Sequence, residues 1–402
     1  MSVFALELQD RHFIVGVTGG IAAYKTAELV RLLIKNGATV DVVMTEAATH
    51  FVGAATFQAL TGRPVWQDLW DTRIPNGMAH IDLSRQADAI LIAPASADTL
   101  ARLAHGHAND LLSTLCLART CPLIVAPAMN KQMWENPATQ RNLAQLVADG
   151  VHLFAPNVGL QACGEEGAGR MQEPAELYEA LLAFVQPKIL QNQKILMTAG
   201  PTFELLDPVR GLTNRSSGKM GFALARAAAQ AGAQVTLIAG PVSLSTPYQV
   251  KRIDVQSAQE MHQAALAHIS GQDIFIGVAA VADFRPAESE IHKIKKNSAN
   301  LSIRLTPNPD ILADIAALPN PPYCVGFAAE TQNLAAYAQG KRQQKRLGMV
   351  VGNLVQEALN LDHSKASIFD AEGEHPLKAG TKAKVAWQII QHLAQQVKSK
   401  AI

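Results

Sequence analysis

One pattern constrains this chain more than any other: an apolar strand, a glycine-bearing turn, a helix and a second apolar strand, met once from Phe13 and again from Lys194. In the first copy Phe13-Ile14-Val15-Gly16-Val17 reads as a strand and Thr18-Gly19-Gly20 as the turn. A helix from Ile21 to about Asn36 follows, closed by Gly37, and Thr39–Met44 is the next strand. In the second copy Lys194-Ile195-Leu196-Met197 runs into Thr198-Ala199-Gly200-Pro201. After Asp207-Pro208-Val209-Arg210 the segment Asn214–Gly221 leads into an alanine-rich helix, Phe222–Ala231, and Gly232 precedes the strand Gln234–Ala239. Parallel strands need a crossover, usually helical, so each pattern opens a parallel sheet of its own. The chain therefore reads as α/β, two parallel-sheet three-layer domains over residues 1–189 and 190–402, with the polar stretch Gln186–Gln193 as linker.

Composition agrees and excludes several classes. Hydrophobic residues at 48% and charged residues at 17% suit globular domains. A net charge of +1 gives no electrostatic case for nucleic acid or an anionic membrane. Glu7, Asp10 and Arg11 interrupt the start before any apolar core, and no apolar run approaches the roughly 18 residues of a membrane span. Cys116, Cys121, Cys163 and Cys324 form no CxxC pair, which fits a reducing compartment. The expectation is a cytoplasmic protein with no nucleic-acid or membrane partner.

Ligands of open α/β folds collect at the carboxyl ends of strands. In the first half Thr18-Gly19-Gly20, Thr45 and Ser96 fall there, offering hydroxyls, loop amides and a helix N-terminus to a phosphate. Thr45 alone reads as a plain helix cap. The sequence lacks GxGxxG, which favours a mononucleotide such as FMN over a dinucleotide. His80, at a helix start, is either structural or a proton-transfer group. Asn130, in Ala126–Trp134, is a helix cap or a side-chain amide that orients a carboxylate. Cys163 lies in the glycine-rich run Gln161–Arg170 rather than in apolar packing, which points to a flap carrying a proton donor.

The second half offers a phosphate-binding turn that is not a P-loop. Six residues, not four, separate Gly211 from Gly218-Lys219, and Met220 stands where a magnesium-binding hydroxyl would be needed. Asp283, in the run Ala279–Phe284 at a strand's carboxyl end, binds a sugar hydroxyl or a metal or serves a turn. Lys293-Ile294-Lys295-Lys296 is a solvated charged stretch or a triphosphate clamp. Asn308-Pro309-Asp310-Ile311 forms a polar turn before a helix, and Phe327 packs in a core or on a base. Lys341 and Lys345 share one helical face. The stretch Ala366–Asp370 and a helix from Lys382 to Val397 read as structural.

Taken together these motifs resemble, over nearly the full length, the bifunctional bacterial flavoprotein family that fuses a phosphopantothenoylcysteine decarboxylase to a phosphopantothenate–cysteine ligase in coenzyme A biosynthesis. The resemblance rests on Thr18–Lys25, His80-Ile81, Ala93–Asp98, Pro127–Trp134 and Gln161–Gly164 in the first half. In the second it rests on Thr198–Thr202, Asn214–Gly221, Ala279–Asp283, Lys293–Lys296 and Gly326–Glu330. It implies an N-terminal flavodoxin-like or Rossmann-like flavin domain and a C-terminal Rossmann-like nucleotide domain.

The same resemblance implies the chemistry. The ligase would use CTP, with Mg²⁺ or Mn²⁺, to turn 4′-phosphopantothenate into an acyl-cytidylate that the amine of cysteine attacks. Asn214 would hold the acyl-cytidylate and Lys293 the triphosphate. Ala279, Asp283, Asn308, Pro309, Asp310, Ile311, Phe327, Lys341 and Lys345 would contact CTP. The decarboxylase would hold FMN through Gly19, Gly20, Thr45 and Ser96, and the flavin would oxidise the cysteinyl thiol end so that decarboxylation has an electron sink. His80 would be the base, Asn130 would fix the departing carboxylate, and Cys163 would donate the proton. The family further implies homo-oligomers: trimeric flavin domains and dimeric ligase domains in a dodecamer. Two rivals are a flavin decarboxylase or prenyltransferase of another substrate, which needs no triphosphate site such as the Asn214 loop and the lysine run, and a non-catalytic regulatory flavoprotein, whose kind usually carries a long acidic tail where this chain reads Gln396-Val397-Lys398-Ser399-Lys400.

Overall fold

The computed structural model describes residues 7–71, 73, 77–295, 301–354, 356 and 361–400. The chain divides into two compact units, Met1–Val185 and Gln186–Ile402.

The first unit is built on a six-stranded sheet ordered Val65–Trp66, Thr39–Met44, His12–Val17, Ala89–Ala95, Leu123–Pro127, His152–Leu153. Every neighbouring pair is parallel. All of Ala89–Ala95 is buried, as a strand covered on both faces must be, which is why these strands read as continuous apolar runs. On one face Leu29 and Leu33 of the helix Ala23–Lys35, with Leu177 and Leu181 of Pro174–Val185, meet Phe13, Val15 and Val42. On the other, Leu111, Leu112 and Leu115 of the helix Leu111–Ala118 meet Ile14, Ile90 and Ile92. Gly37 ends the first helix at φ 95°, a left-handed conformation that a side chain would strain.

The second unit repeats the order. Its eight-stranded sheet runs Val250–Asp254, Gln234–Ala239, Lys194–Ala199, Ile274–Gly277, Tyr323–Glu330, Met349–Leu354, Ser367–Phe369, Glu374–Pro376. The first six strands are parallel and the last two antiparallel, so the sheet is mixed at one edge. The helices Lys219–Gln230 and Lys382–Lys400 pack on one face. Ala258–His268, Ile311–Ala316 and Leu334–Gln344 cover the other.

In both sheets the strand order reverses beside the first strand, and the crevice beyond that reversal is where open α/β folds bind ligands. The stretch Gln186–Gln193, expected as a linker, is only partly one. Leu190 is buried and its N–H donates to the Ala231 carbonyl at 2.9 Å, while Lys188 Nζ donates to the Gln230 carbonyl at 2.9 Å. The apolar pair Ile189-Leu190 docks this segment on the second unit.

Candidate active sites

In the first unit the sheet-order reversal lies between His12–Val17 and Ala89–Ala95. The buried Thr18 hydroxyl joins the two strand ends, donating to the Pro94 carbonyl at 2.7 Å and accepting from Ser96 N–H at 3.0 Å. Beyond it opens a cavity of about 670 Å³, lined among others by Gly19, Gly20, Ser96, Asn130, Cys163 and Arg170. A Cβ on Gly19 would come within 2.6 Å of the Ala47 Cβ, whereas one on Gly20 would meet no protein atom within 4 Å. One glycine thus lets two loops touch, and the other leaves bare backbone facing open space. Ser96 caps the helix Ala97–Ala104, accepting from Thr99 N–H at 3.2 Å. The volume and the small-residue rim fit a mononucleotide-sized cofactor.

Cys163 is exposed between the antiparallel strands Asn157–Leu160 and Glu166–Arg170. Its Sγ stands 3.8 Å from a carboxylate oxygen of Glu165, and that oxygen accepts from Asn130 Nδ2 at 3.3 Å. Asn130 also caps the helix Lys131–Glu135, its Oδ1 accepting from Met133 N–H at 3.0 Å. Asn130 is thus the helix cap, and it also lines the cavity. Gln161, unassigned from sequence, ties the hairpin to this helix by accepting from Lys131 N–H and donating to the Ala168 carbonyl, both at 3.0 Å. Glu165 was equally missed; their place inside the Gln161–Arg170 run was the available signal.

Thr45 and His80 are not among the residues lining this cavity. Thr45 acts as a helix cap, accepting from Ala48 N–H at 3.3 Å. His80 is the second residue of the helix Ala79–Gln86, and its buried Nδ1 has no hydrogen-bond partner among the described residues. A buried, unpaired imidazole nitrogen is costly for structure alone and leaves a site for a ligand or water.

In the second unit a cavity of about 160 Å³ is lined by Ser217, Gly218, Lys219, Ala280, Phe327 and Lys382 among others. Gly218, at φ 74°, starts the helix Lys219–Gln230 with no side-chain cap, so first-turn N–H groups face the cavity end of the helix. Beside it two side-chain amides hold successive carbonyls. Asn214 Nδ2 donates to those of Ala280 and Val281 at 3.0 and 3.2 Å, and Asn308 Nδ2 to that of Ala282 at 2.8 Å. Asn308 N–H completes the row on the Asp283 carbonyl at 2.9 Å. The Asp283 side chain itself is exposed.

Asp310 caps the helix Ile311–Ala316, accepting from Ala313 N–H at 3.0 Å, and pairs with Lys345. Burial pushes its carboxyl up, but the Lys345 ammonium and the Ala313 amide hold it below the usual range. Pro309 is half-buried, and Ile311 is a core side chain packed with Leu312 and Ile315. Ala279 packs against that same core. Phe327 is half-buried, packing against the core and lining the cavity. Burial, then the Lys345 charge, lowers the pKa of Lys341.

Lys293 is exposed; Lys296 lies outside the described residues. The segment is pinned by Asp207, which accepts from Ile294 N–H at 3.1 Å and from Arg210, whose guanidinium also donates to the Ile294 carbonyl at 2.6 Å. Burial raises the Asp207 carboxyl, yet Arg210 and the Val209, Ile294 and Arg210 amides outweigh it and hold the group strongly ionised. Asp207 was not singled out from sequence, though it stands in the quoted Asp207–Arg210 run.

Comparison with known proteins assigns the class first. Residues 4–186 match the family model described as Flavoprotein, and residues 190–397 that described as DNA/pantothenate metabolism flavoprotein C-terminal domain. The chain is 50% identical over 395 residues to a coenzyme A biosynthesis bifunctional protein CoaBC of Haemophilus influenzae, covering 97% of this chain and 99% of that one. It is 49% identical over 396 residues to its namesake in Vibrio cholerae, with coverage of 97% and 99%. The solved C-terminal domain of a CoaBC protein shares 36% identity at a TM-score of 0.46, covering 53% of this chain and 99% of that one. The chain belongs to the family of coenzyme A biosynthesis bifunctional proteins.

Proposed function

We propose that the second unit joins cysteine to 4′-phosphopantothenate using CTP, and that the first decarboxylates the resulting 4′-phosphopantothenoylcysteine to 4′-phosphopantetheine. The full-length likeness to coenzyme A biosynthesis bifunctional proteins carries this reading.

A carboxylate is a poor electrophile. In the ligase unit its oxygen attacks the α-phosphorus of CTP, pyrophosphate leaves, and the mixed anhydride then yields CMP when the cysteine amine attacks the acyl carbon. Lys293, Lys341 and Lys345 offset the charge that grows on pyrophosphate. Asn214 holds the acyl-cytidylate over the Ala280–Val281 backbone it already binds. Ala279, Asp283, Phe327 and the Asn308–Ile311 turn position the nucleotide. Mg²⁺ or Mn²⁺, when bound, would neutralise charge on the triphosphate, and such ions need few protein ligands.

In the flavin unit Gly19, Gly20 and Ser96 would hold FMN at the first-unit cavity, with Thr45, outside that lining, joining from the end of the neighbouring strand. When bound, FMN supplies reversible two-electron chemistry next to the cysteinyl thiol. His80 takes a proton from substrate, and the Asn130 amide turns from Glu165 to the departing carboxylate. Cys163 delivers a proton to the product; its exposed thiol and the Asn130 amide line the same cavity, which supports this role. Exposed Ile21, Tyr24, Val158 and Leu160 support self-association of this unit. Trimeric flavin units, dimeric ligase units and a cytoplasmic location complete the reading. No helix among the described residues is long and apolar enough to cross a membrane.

The test is mass spectrometry of the purified protein with 4′-phosphopantothenate, cysteine, CTP and Mg²⁺. Formation of 4′-phosphopantetheine and CMP, absent without CTP, is expected. No product from a folded, yellow protein would overturn the assignment.

A further inference from the structure

A buried carboxylate at the edge of the second sheet gathers two imidazoles from separate elements. Asp370 follows the strand Ser367–Phe369, His375 lies in the paired strand Glu374–Pro376, and His392 comes from the helix Lys382–Lys400. His375 Nε2 meets one Asp370 oxygen at 2.9 Å, and His392 Nε2 meets the other at 2.7 Å. The two rings stand 4.7 Å apart, centroid to centroid. Among the described residues the carboxylate also accepts from Glu372 N–H at 2.9 Å and from Gln396 Nε2 at 3.1 Å.

We propose that Asp370, His375 and His392 form a binding site for a divalent first-row transition metal, with zinc, cobalt and nickel as the fitting ions. The ligand atoms all lie within 4.8 Å of one another. Ligands of one tetrahedral zinc sit about 3.3 Å apart, so the Asp370–imidazole pairs at 2.9 and 2.7 Å open slightly, and any wider pair draws in, to admit the ion. Two imidazole nitrogens and one carboxylate select such a metal over magnesium, which prefers oxygen. Each neutral imidazole gives Nε2 to the ion by moving its proton to Nδ1. The His375 side chain is 34% exposed, so its Nδ1 can reach water, whereas Asp370 at 1% keeps the anionic ligand dry. Rotation of the Gln396 amide offers its oxygen as a fourth donor. None of these residues lines the second-unit cavity, so the site is separate from nucleotide binding. Bound metal would staple the antiparallel edge of the sheet to the last helix.

The full-length protein, stripped with chelator and dialysed, is titrated with Zn²⁺ by calorimetry and with Co²⁺ by visible absorption, alongside His375→Gln and His392→Gln. The expected result is one binding event per chain that raises the thermal midpoint and weakens at least about tenfold in either variant, since disturbing even outer-shell partners costs that much. Ligase and decarboxylase turnover should be unchanged in His375→Gln. Absence of binding, or binding that survives in both variants, overturns the proposal. If His392→Gln does not fold, the half-exposed His375→Gln decides alone.

Discussion

Lys341 donates from Nζ to the Phe327 carbonyl at 2.6 Å, across 14 residues of chain. The bond fixes a partly buried ammonium beside the middle of the strand Tyr323–Glu330, one helical turn from Lys345. Replacing Lys341 with Met removes a charge-assisted bond worth about 1.5–3 kcal/mol. The expected outcome is a fall of roughly tenfold or more in kcat/KM for CTP with decarboxylation of supplied phosphopantothenoylcysteine intact. Equal CTP kinetics in variant and wild type would remove Lys341 from the nucleotide site.

Cys163→Ala should stop the flavin unit after oxidation and carboxylate loss, so that an oxidised product two hydrogens short of 4′-phosphopantetheine builds up. His80→Asn should abolish carbon dioxide release altogether. Mass spectra of stopped reactions separate the two, and normal 4′-phosphopantetheine yield from either variant counts against its role.

Gly19→Ala drives a methyl group to 2.6 Å from the Ala47 Cβ, a contact that forces the two loops apart. Overpacking of this kind costs about 1–3 kcal/mol. The flavin-to-protein absorbance ratio should drop while CMP release by the ligase unit is preserved. Full flavin occupancy would show that the loop relaxes freely.

Asp41 gives a pH signature to the first unit. Its carboxylate is 1% exposed and accepts from His12 at 2.7 Å and from Arg63 at 2.8 and 3.0 Å. Burial pushes its pKa up, but the His12 and Arg63 bonds prevail and hold it below its ordinary value. A depressed carboxyl contributes stability that is complete above its unfolded value, about 3.9, and is lost as pH falls through the folded one. Asp41→Asn should therefore cost roughly 2–3 kcal/mol near neutral pH, and the gap should narrow in acid. Urea midpoints for flavin release at the two pH values measure this; a gap independent of pH would assign the loss to packing.

Much of the fold was legible because parallel strands buried on both faces leave unbroken apolar runs. Thr39–Met44 and Gln234–Ala239 match their sequence bounds, and Gly37 marks its helix end. The short antiparallel edge, Ser367–Phe369 with Glu374–Pro376, was less legible. Three-residue strands carry too few alternations to declare a period.

The sequence by itself determined two α/β units, because hydrophobic period and glycine position are local properties that survive without neighbours. It also located the chemistry-bearing loops, since those loops follow strand ends. Only the tertiary structure decided which side chains meet. Glu165 reaching Asn130, 35 residues away, and Asp207 pinning Ile294, 87 residues away, depend on contacts between elements far apart along the backbone, and Asp370 meets His392 only because the last helix packs on that sheet edge. Such pairings are set by sheet order and helix packing, which no local pattern encodes.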